Sequence, residues 1–335
     1  AGTRPFLSAV ELGQRLQLGV AQIAVAVEPD APVRGLPGDT CPRDDVVERA
    51  VGVRRGVHRR RLAHRLDDLS RLGLGTHRMR LLGFRIADVG QGGVAGVEET
   101  LQVFIDEGAS VVTVGGGNAG PFLGPLQRAG IRVIPVVASV ALARRMARQG
   151  VDALIAEGME SGGHIGDVAT LPLVPQVVDA VDIPVIAAGG IADGRGLAAA
   201  LALGAVGIQM GTRFISTTEC PAHANYKQKI VKAGDRATIT TGAHFGHPVR
   251  SIRGPFVRRL EELERKGISE EEFLAYGAGT LEAAIVGGDL DRGSVMAGQS
   301  AGLVDDVVPV KVLIERIVAE AEETIRRNAA QIRPS

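Results

Sequence analysis

Short apolar runs alternate with longer segments of helical periodicity from about residue 97 onward. Five apolar runs are interpreted as strands: 109–114, 131–137, 151–156, 184–188 and 206–210. Loops follow them, four of which contain glycine, and the first four loops lead into helical stretches of about ten residues. The strands are apolar throughout, as expected for parallel strands that are covered on both faces. The pattern therefore predicts an α/β fold built from βαβ units.

The spacing of these units, at roughly thirty residues or fewer, is typical of a TIM (β/α)8-type barrel. Five βα units are readable, and such a barrel needs three more before residue 109. We predict that 97–216 and 293–335 form the barrel. Residues 217–292 are expected to form a smaller, mostly helical domain after the last strand.

The first 96 residues have a different composition, with abundant arginine, including Arg59–Arg61, and no lysine. Segments 46–57 and 62–74 are compatible with short helices, and 14–27 with a helix or a strand. The arginine cluster is a weak candidate for a nucleic-acid patch, because no aromatic scaffold surrounds it. A solvated or irregular arm and translation from a shifted reading frame are the other hypotheses. Resequencing the gene upstream of Glu98 tests the last one.

The formal net charge is zero at pH 7, which gives no indication of a nucleic-acid or membrane partner. The two cysteines, Cys41 and Cys220, are far apart and lack the spacing of a disulfide framework or zinc site. No apolar run is long enough to span a bilayer, and no signal peptide opens the chain. We therefore expect a cytoplasmic protein.

One loop stands out between residues 156 and 166, because it contains four glycines, two acids and His164. It follows the apolar run 151–156. A parallel α/β protein presents reactive groups on loops of this kind, at the carboxyl ends of its strands. The alternative is a plain turn with a solvated histidine, and this loop alone favours function only slightly.

Two further glycine turns follow the last two predicted strands, at Gly189–Gly190 and at Gly211–Thr212. In a barrel, the loops after the last two strands bind phosphate. Their backbone N–H groups, with the helix N-terminus at 193–196, are predicted to bind a dianion without a lysine. Tight helix packing is the competing interpretation for each turn taken singly. No dinucleotide fingerprint of the Rossmann type is present.

Four motifs carry a resemblance to a known family. They are Ala-Glu-Gly-Met-Glu-Ser-Gly-Gly-His-Ile-Gly at 156–166, Ile-Ala-Ala-Gly-Gly-Ile-Ala-Asp at 186–193, Gln-Met-Gly-Thr-Arg at 209–213 and Gly-Ser-Val-Met-Ala-Gly-Gln at 293–299. In this order they resemble the FMN-dependent enoyl-acyl-carrier-protein reductase II family of the FabK type. The related nitronate monooxygenases, also called 2-nitropropane dioxygenases, share the first three. The resemblance covers 97–335 and not the first 96 residues.

The resemblance implies a TIM barrel that binds FMN. It implies that His164 is the active-site histidine. The implied cofactor-binding residues are Glu157, Gly162, Gly163, Gly189, Gly190, Gln209, Met210, Gly211, Thr212, Met296, Ala297, Gly298 and Gln299. No metal site is expected, because His244 and His247 lack a ligand set of recognisable spacing.

The resemblance implies reduction of trans-2-enoyl thioesters on acyl carrier protein, with NADH or NADPH as reductant, during fatty-acid elongation. The first alternative is a nitronate monooxygenase that oxidises alkyl nitronates with O2. The second is an inactive member that binds no flavin. The expected partners are an acyl-carrier-protein thioester or a small nitro compound, and a homodimer is left open.

Overall fold

The computed structural model describes residues 23–26, 85–86, 97–106, 109, 111–115 and 119–331. Within the arginine-rich segment, Ile23–Ala26 and Arg85–Ile86 are strands. The segment 14–27 was compatible with a helix or a strand, and Ile23–Ala26 shows that part of it is a strand. The short helices predicted at 46–57 and 62–74, and the rest of the segment, lie outside the described residues.

The described strands are β1 (Ile23–Ala26), β2 (Arg85–Ile86), β3 (Val111–Val114), β4 (Arg132–Val137), β5 (Leu154–Glu157), β6 (Gly163–His164), β7 (Val185–Ala188), β8 (Gly207–Met210), β9 (Thr238–Thr241) and β10 (Val249–Ile252). The helices are α1 (Val97–Asp106), α2 (Gly120–Arg128), α3 (Val140–Arg148), α4 (Thr170–Ala180), α5 (Gly194–Ala202), α6 (Thr212–Ile215), α7 (Ala224–Val231), α8 (Pro255–Arg265), α9 (Glu270–Gly277), α10 (Thr280–Ile285) and α11 (Val310–Gln331). Short 3-10 turns span Ala243–Phe245 and Gln299–Leu303.

The main sheet has seven strands in the order β1-β8-β7-β5-β4-β3-β2. The five predicted strands, β3, β4, β5, β7 and β8, lie side by side and parallel. β2 extends this parallel set next to β3, whereas β1 is antiparallel to β8. Helices alternate with the parallel strands, so the described residues form a half-barrel sheet that contains the five predicted βα strands.

The helices that alternate with the parallel strands pack apolar side chains onto the main sheet. The local sequence determines where several of them begin. Ser139 caps α3, where its Oγ accepts a hydrogen bond of 3.2 Å from the Leu142 N–H. Asp193 caps α5 in the same way, accepting from the N–H groups of Arg195 and Gly196. Leu126 of α2 and Met146 of α3 anchor their helices in the core, because both side chains are completely buried.

The long helix α11 lies against α5 at Gly194. A Cβ atom on this glycine would lie 2.4 Å from the Ala321 nitrogen and 2.5 Å from the Ile317 carbonyl oxygen. Only a residue without a side chain allows the two backbones to approach so closely. The Glu320 carboxylate accepts a hydrogen bond of 3.0 Å from the Gly194 N–H. The C-terminal helix is thereby fixed to the outside of the sheet.

A second, smaller sheet has the order β6-β10-β9 and is antiparallel. β10 pairs with β6 so that Val249 lies opposite His164. Helices α7 to α10 belong to the same stretch of chain, which the sequence predicts as mostly helical. The strands β9 and β10 were not predicted. The proposed domain boundaries at 217 and 292 stay a prediction.

Among the described residues, no helix is both long enough and apolar enough to span a membrane.

Candidate active site

The carboxyl ends of β5, β7 and β8 meet at one edge of the main sheet. The register places Glu157 opposite Ala188, and Ala188 opposite Gln209. The turns that follow these strands are therefore neighbours and line one common cleft that opens to solvent. The lining residues are Glu157, Ser161, Gly162, Ala188, Gly189, Gly190, Ile191, Gln209, Met210, Gly211, Thr212, Met296 and Ser300.

Most residues predicted to bind the cofactor line this cleft. They are Glu157, Gly162, Gly189, Gly190, Gln209, Met210, Gly211, Thr212 and Met296. The other predicted residues, Gly163, His164, Ala297, Gly298 and Gln299, do not belong to the lining set. Three glycine turns and one distant segment are thus brought together around one space.

His164 lies beside the cleft and not in its wall. It is the second residue of β6, is solvent-exposed, and pairs with Val249 of β10. The neighbouring Gly163 is buried. An exposed imidazole at the rim can contact a substrate that enters the cleft, so its catalytic role stays a prediction.

The segment 296–299 is joined to the site by three hydrogen bonds. The Tyr226 hydroxyl donates to the Met296 carbonyl (2.8 Å), and the Gly298 N–H donates to Thr212 Oγ1 (2.8 Å). The Gln299 N–H donates to the Glu160 carbonyl (2.8 Å). Burial raises the pKa of Tyr226, so this phenol remains neutral and keeps its donor proton. These bonds bring Met296 to the cleft from a distant part of the chain.

The loop 156–166, which carries His164, is called the histidine loop. Glu160 fixes this loop to helix α4. Its two carboxylate oxygens accept from the Thr170 N–H at 3.1 and 3.0 Å. The Thr170 hydroxyl lies 2.8 Å from Glu160 Oε2 and 3.1 Å from the Gly189 carbonyl oxygen. Because Ala169 at the N-cap offers no side-chain acceptor, Glu160 satisfies the start of α4 from outside the helix. The same contact links the histidine loop to the Gly189 turn.

Arg250 fixes the same loop from the other side. Its Nε and Nη2 donate to the Met159 carbonyl at 3.1 and 3.0 Å, and its Nη1 donates to Thr238 Oγ1 at 3.3 Å. Burial lowers the pKa of the Arg250 guanidinium, and the nearby Glu160 charge partly opposes this. The β10 strand therefore holds the loop through side-chain as well as backbone contacts.

One predicted anion contact is wrong. The N–H groups of Arg195 and Gly196 donate to Asp193, and that of Gly194 donates to Glu320. Two carboxylates thus already occupy the N-terminus of α5, and their negative charges would repel a phosphate. The second carboxylate comes from a helix more than a hundred residues away, which the local sequence does not indicate.

The glycine turns remain as donors for an anion. The N–H groups of Gly190 and Gly211 donate none of the hydrogen bonds found within the described part of the chain. Thr212 adds a hydroxyl group at the same place. Backbone amides that converge on one space can bind a phosphate without a basic side chain. The cleft therefore offers donors of the kind that a nucleotide phosphate requires.

The rest of the lining suits a flat, partly polar ring. Ile191, Met210 and Met296 supply apolar surface, and the carboxylate of Glu157 and the amide of Gln209 supply polar contacts. Glu157 is 6% exposed and Gln209 3%. This mixture of apolar walls and a few buried polar groups is typical of cofactor sites. The residues present therefore fit FMN, which combines a phosphate, hydroxyl groups and a flat ring.

Sequence reasoning missed four lining residues and three supporting ones. The former are Ser161, Ala188, Ile191 and Ser300, and the latter are Glu160, Thr170 and Arg250. Ser161, Ala188 and Ile191 lie within the quoted motifs, so a count of every motif position would have found them. The contacts of Arg250 join residues 91 positions apart, and no local pattern encodes them.

His244 and His247, which carry a weak metal hypothesis, lie next to different carboxylates. His244 Nδ1 is 3.5 Å from Glu264 Oε1, and His247 Nε2 is 3.0 Å from Glu270 Oε1. Two separate pairs do not make a ligand set.

Comparison with known proteins identifies the family of the chain. A family model described as nitronate monooxygenase matches residues 87–320. The (3aS,4S,5R,7aS)-5-hydroxy-7a-methyl-1-oxo-octahydro-1H-indene-4-carboxyl-CoA dehydrogenase of Mycobacterium tuberculosis is 35% identical over 263 residues, covering 67% of this chain and 74% of that protein. FabK from Thermotoga maritima is 48% identical with a TM-score of 0.70, covering 79% of this chain and 82% of the other. Nitroalkane oxidase from Streptomyces ansochromogenes is 32% identical with a TM-score of 0.61, covering 69% and 70%.

The two structural neighbours are TIM barrels, which confirms the predicted fold class. The family match begins at residue 87 and spans all the cleft-lining residues. The predicted resemblance is therefore confirmed over the part of the chain that carries the four motifs. The chain belongs to the nitronate monooxygenase family of flavin-dependent oxidoreductases.

Proposed function

We propose that the protein reduces the 2,3-double bond of trans-2-enoyl thioesters, with FMN as cofactor and NADH or NADPH as reductant. The acyl group would be carried on acyl carrier protein. The observation that carries this proposal is the position of Met296 in the wall of the cleft. Met296 belongs to the fourth sequence motif, which is the motif that resembles the reductases and is not shared with the nitronate enzymes.

Two comparisons support a thioester substrate. The identity to FabK is 48%, whereas that to the nitroalkane oxidase is 32% over a smaller share of the chain. The mycobacterial relative is named as a carboxyl-CoA dehydrogenase, and this name also specifies a thioester.

The side chains of the cleft have distinct tasks in this proposal. Bound FMN supplies hydride transfer from the nicotinamide to the enoyl β-carbon. The amides of Gly190 and Gly211 would bind the phosphate, and Glu157 and Gln209 would orient the polar groups of the cofactor. His164 at the rim would donate a hydrogen bond or a proton to the thioester carbonyl, where negative charge develops.

Oxidation of alkyl nitronates with O2 is the second candidate, because the matching family model is that of nitronate monooxygenase. One pair of assays separates the two activities. We expect NADH or NADPH consumption that depends on a crotonyl thioester, and no O2 uptake that depends on a nitronate. O2 uptake with nitronate and no crotonyl-dependent consumption would reverse the assignment. Purified protein without the yellow absorbance of flavin, even after incubation with FMN, would exclude both.

His164→Ala tests the proposed donor. Because His164 does not belong to the cleft lining, the variant should bind FMN as the wild type does. Its turnover should fall about 10²-fold or more, since positioned proton donors contribute factors of that order. His244→Ala is the matched control, because His244 is also exposed but lies next to Glu264 of α8. Full crotonyl-thioester turnover in His164→Ala would remove this residue from the mechanism.

A further inference from the structure

The segment 220–260 has a strong charge asymmetry, although the whole chain has a formal net charge of zero. It contains eight basic residues and a single acidic residue, Asp235. The basic residues are Lys227, Lys229, Lys232, Arg236, Arg250, Arg253, Arg258 and Arg259. An excess of one sign on one part of a neutral protein produces a local field that selects partners of the opposite sign.

Two of these cations have internal roles. The Lys227 ammonium donates to the carbonyl groups of Thr217 and Cys220, both at 2.7 Å. Arg250 is buried and donates to the Met159 carbonyl. Neither is therefore available to a partner in solution.

Five of the others are solvent-exposed: Lys232, Arg236, Arg253, Arg258 and Arg259. We call these five residues the basic patch. None of them forms an ion pair with a carboxylate in the part of the chain that the structure describes. Asp235, Glu261 and Glu262 lie close to these cations along the chain and reduce the excess of positive charge, but none of these carboxylates forms an ion pair with the basic patch in the described residues.

The backbone brings the members of the basic patch together. Lys232 ends α7, and Arg236 lies in the turn that leads to β9. The Arg253 N–H donates to the Ala237 carbonyl at 2.8 Å, which places Arg253 next to that turn. Arg258 and Arg259 follow in the first two turns of α8. The charges are therefore spread over four neighbouring elements and do not converge on one point.

Strand β10 connects the basic patch to the rim of the cleft. Val249 at one end of the strand pairs with His164, and Arg253 directly follows the other end. At about 3.3 Å per residue, these four steps span roughly 13 Å. A partner that docks at the basic patch thus lies close enough to deliver a flexible arm to His164.

We propose that the basic patch is the docking surface for the acidic carrier protein that presents the thioester. This rests on the proposed function, because it names the partner of the same site. An extended set of unpaired cations matches a protein face of opposite charge, and such complementarity steers association and orients the complex. The prosthetic arm of the docked carrier would then extend along β10 to the cleft.

The first experiment measures binding and does not depend on turnover. Labelled crotonyl-loaded acyl carrier protein is titrated with the full chain, and fluorescence anisotropy reports Kd at low and high salt. The double variant Arg236→Glu/Arg253→Glu should raise Kd about tenfold, since each exposed pair contributes up to about a factor of five and reversal adds repulsion. The salt dependence should weaken in the same variant.

The matched control is Arg144→Glu/Arg145→Glu, a double charge reversal at exposed positions of α3. It should leave Kd unchanged. An equal loss of binding in this control, or an unchanged Kd in the Arg236/Arg253 variant, would overturn the docking proposal.

The second experiment compares substrates. KM for the carrier-bound crotonyl group should rise in the Arg236/Arg253 variant, whereas kcat/KM for the uncharged crotonyl-N-acetylcysteamine should stay unchanged. An equal rise of KM with crotonyl-CoA would assign the patch to the CoA nucleotide and overturn carrier docking. Patch-dependent binding of the carrier without any crotonyl reduction would refute the proposed function and leave the docking surface in place.

Discussion

Gly189 has a φ of +98°, and a Cβ atom there would lie 2.7 Å from Thr170 Oγ1 and 3.0 Å from the backbone of Gly158. Both the backbone conformation and the available space thus require glycine at this turn. The turn holds its shape because the neighbouring Thr170 hydroxyl lies within hydrogen-bond distance of the Gly189 carbonyl. The donors that we assign to the FMN phosphate depend on this shape.

Gly189→Ala should weaken FMN binding by at least tenfold and lower the free energy of unfolding by about 1–3 kcal/mol. Quenching of flavin fluorescence measures the first effect and urea unfolding the second. Gly130→Ala is the control, because Gly130 has a φ of +75° but nothing within 4 Å of the added atom. If both variants bind FMN equally well, the Gly189 turn does not form the phosphate site.

Among single residues, the sequence predicted those whose role follows from their immediate neighbours along the chain. The glycines at 189, 190 and 211 were identified because glycine at the end of a strand marks a tight turn or a close approach of the backbone to a ligand. Glu160 was overlooked because its acceptor role depends on Thr170, ten residues away and across a loop. Its side chain gives no sign of that contact in the sequence.

At the scale of elements, α4 illustrates a helix whose start depends on the loop that precedes it. Glu160 provides the acceptor that Ala169 lacks, and its negative charge lies at the positive end of the helix dipole. The loop that carries His164 and the helix that follows it are therefore stabilised as one unit.

Glu160→Ala should reduce the free energy of unfolding by about 1–2 kcal/mol, as expected for the loss of a helix cap. Thr170→Val removes the hydroxyl contact and leaves the Thr170 N–H in place. A double-mutant cycle between the two substitutions, measured by urea unfolding, should give a coupling energy of at least about 0.5 kcal/mol. Strict additivity would show that the contact between the Thr170 hydroxyl and the Glu160 carboxylate contributes nothing to stability.

The elements themselves were mostly predictable, with one systematic gap. The parallel strands and their helices were found because apolar runs and helical periodicity alternate regularly. β9 and β10 were missed because Thr238–Thr241 and Val249–Ile252 are short and partly polar. They are strands because they pair with each other and with β6, and this pairing depends on contacts that are distant along the chain.

At the scale of the whole molecule, Asp306 joins the end of the sheet to the C-terminal helix. Its carboxylate accepts hydrogen bonds from Arg213, which follows β8, and from Arg316 on α11 (2.7 Å). Burial raises the pKa of Asp306, but the Arg316 hydrogen bond and the two guanidinium charges outweigh it and hold this pKa below its usual range. Arg213 is 3% exposed, so it depends strongly on this carboxylate.

Asp306→Asn should lower the free energy of unfolding at pH 7 by about 1–3 kcal/mol, because Arg213 loses its charged partner. The folded-state pKa lies below the unfolded value of about 3.9. The ionised carboxylate therefore stabilises the fold above that value, and its contribution is lost as the pH falls through the folded-state pKa.

The difference in stability between wild type and Asp306→Asn should accordingly disappear in strongly acidic solution. Urea unfolding over a pH series measures this. Asp305→Asn is the control, since Asp305 is exposed and adjacent, and it should show a much smaller effect at pH 7. A deficit in Asp306→Asn that persists unchanged in acid would exclude the carboxylate charge as its cause.

The repeat length predicted the overall architecture, but it did not predict the contacts that hold helix α11 in place. A spacing of roughly thirty residues indicated the barrel, and the TIM-barrel neighbours agree with it. The contacts that hold the last helix in place, through Asp306 and Gly194, join residues about a hundred positions apart. Such pairings leave no periodic trace in the sequence.

The bond between Gly194 and Glu320 imposes an order of events during biosynthesis. These residues are 126 positions apart, and a ribosome adding about 5–20 residues per second needs roughly 6–25 seconds to reach the second after the first. During that interval the Gly194 N–H is exposed to water, and helix α11 is not yet present to pack against α5. The half-barrel therefore completes this part of its outer layer only after α11 has been translated, when Leu313, Ile317 and Ala321 can cover the apolar surface against which they pack.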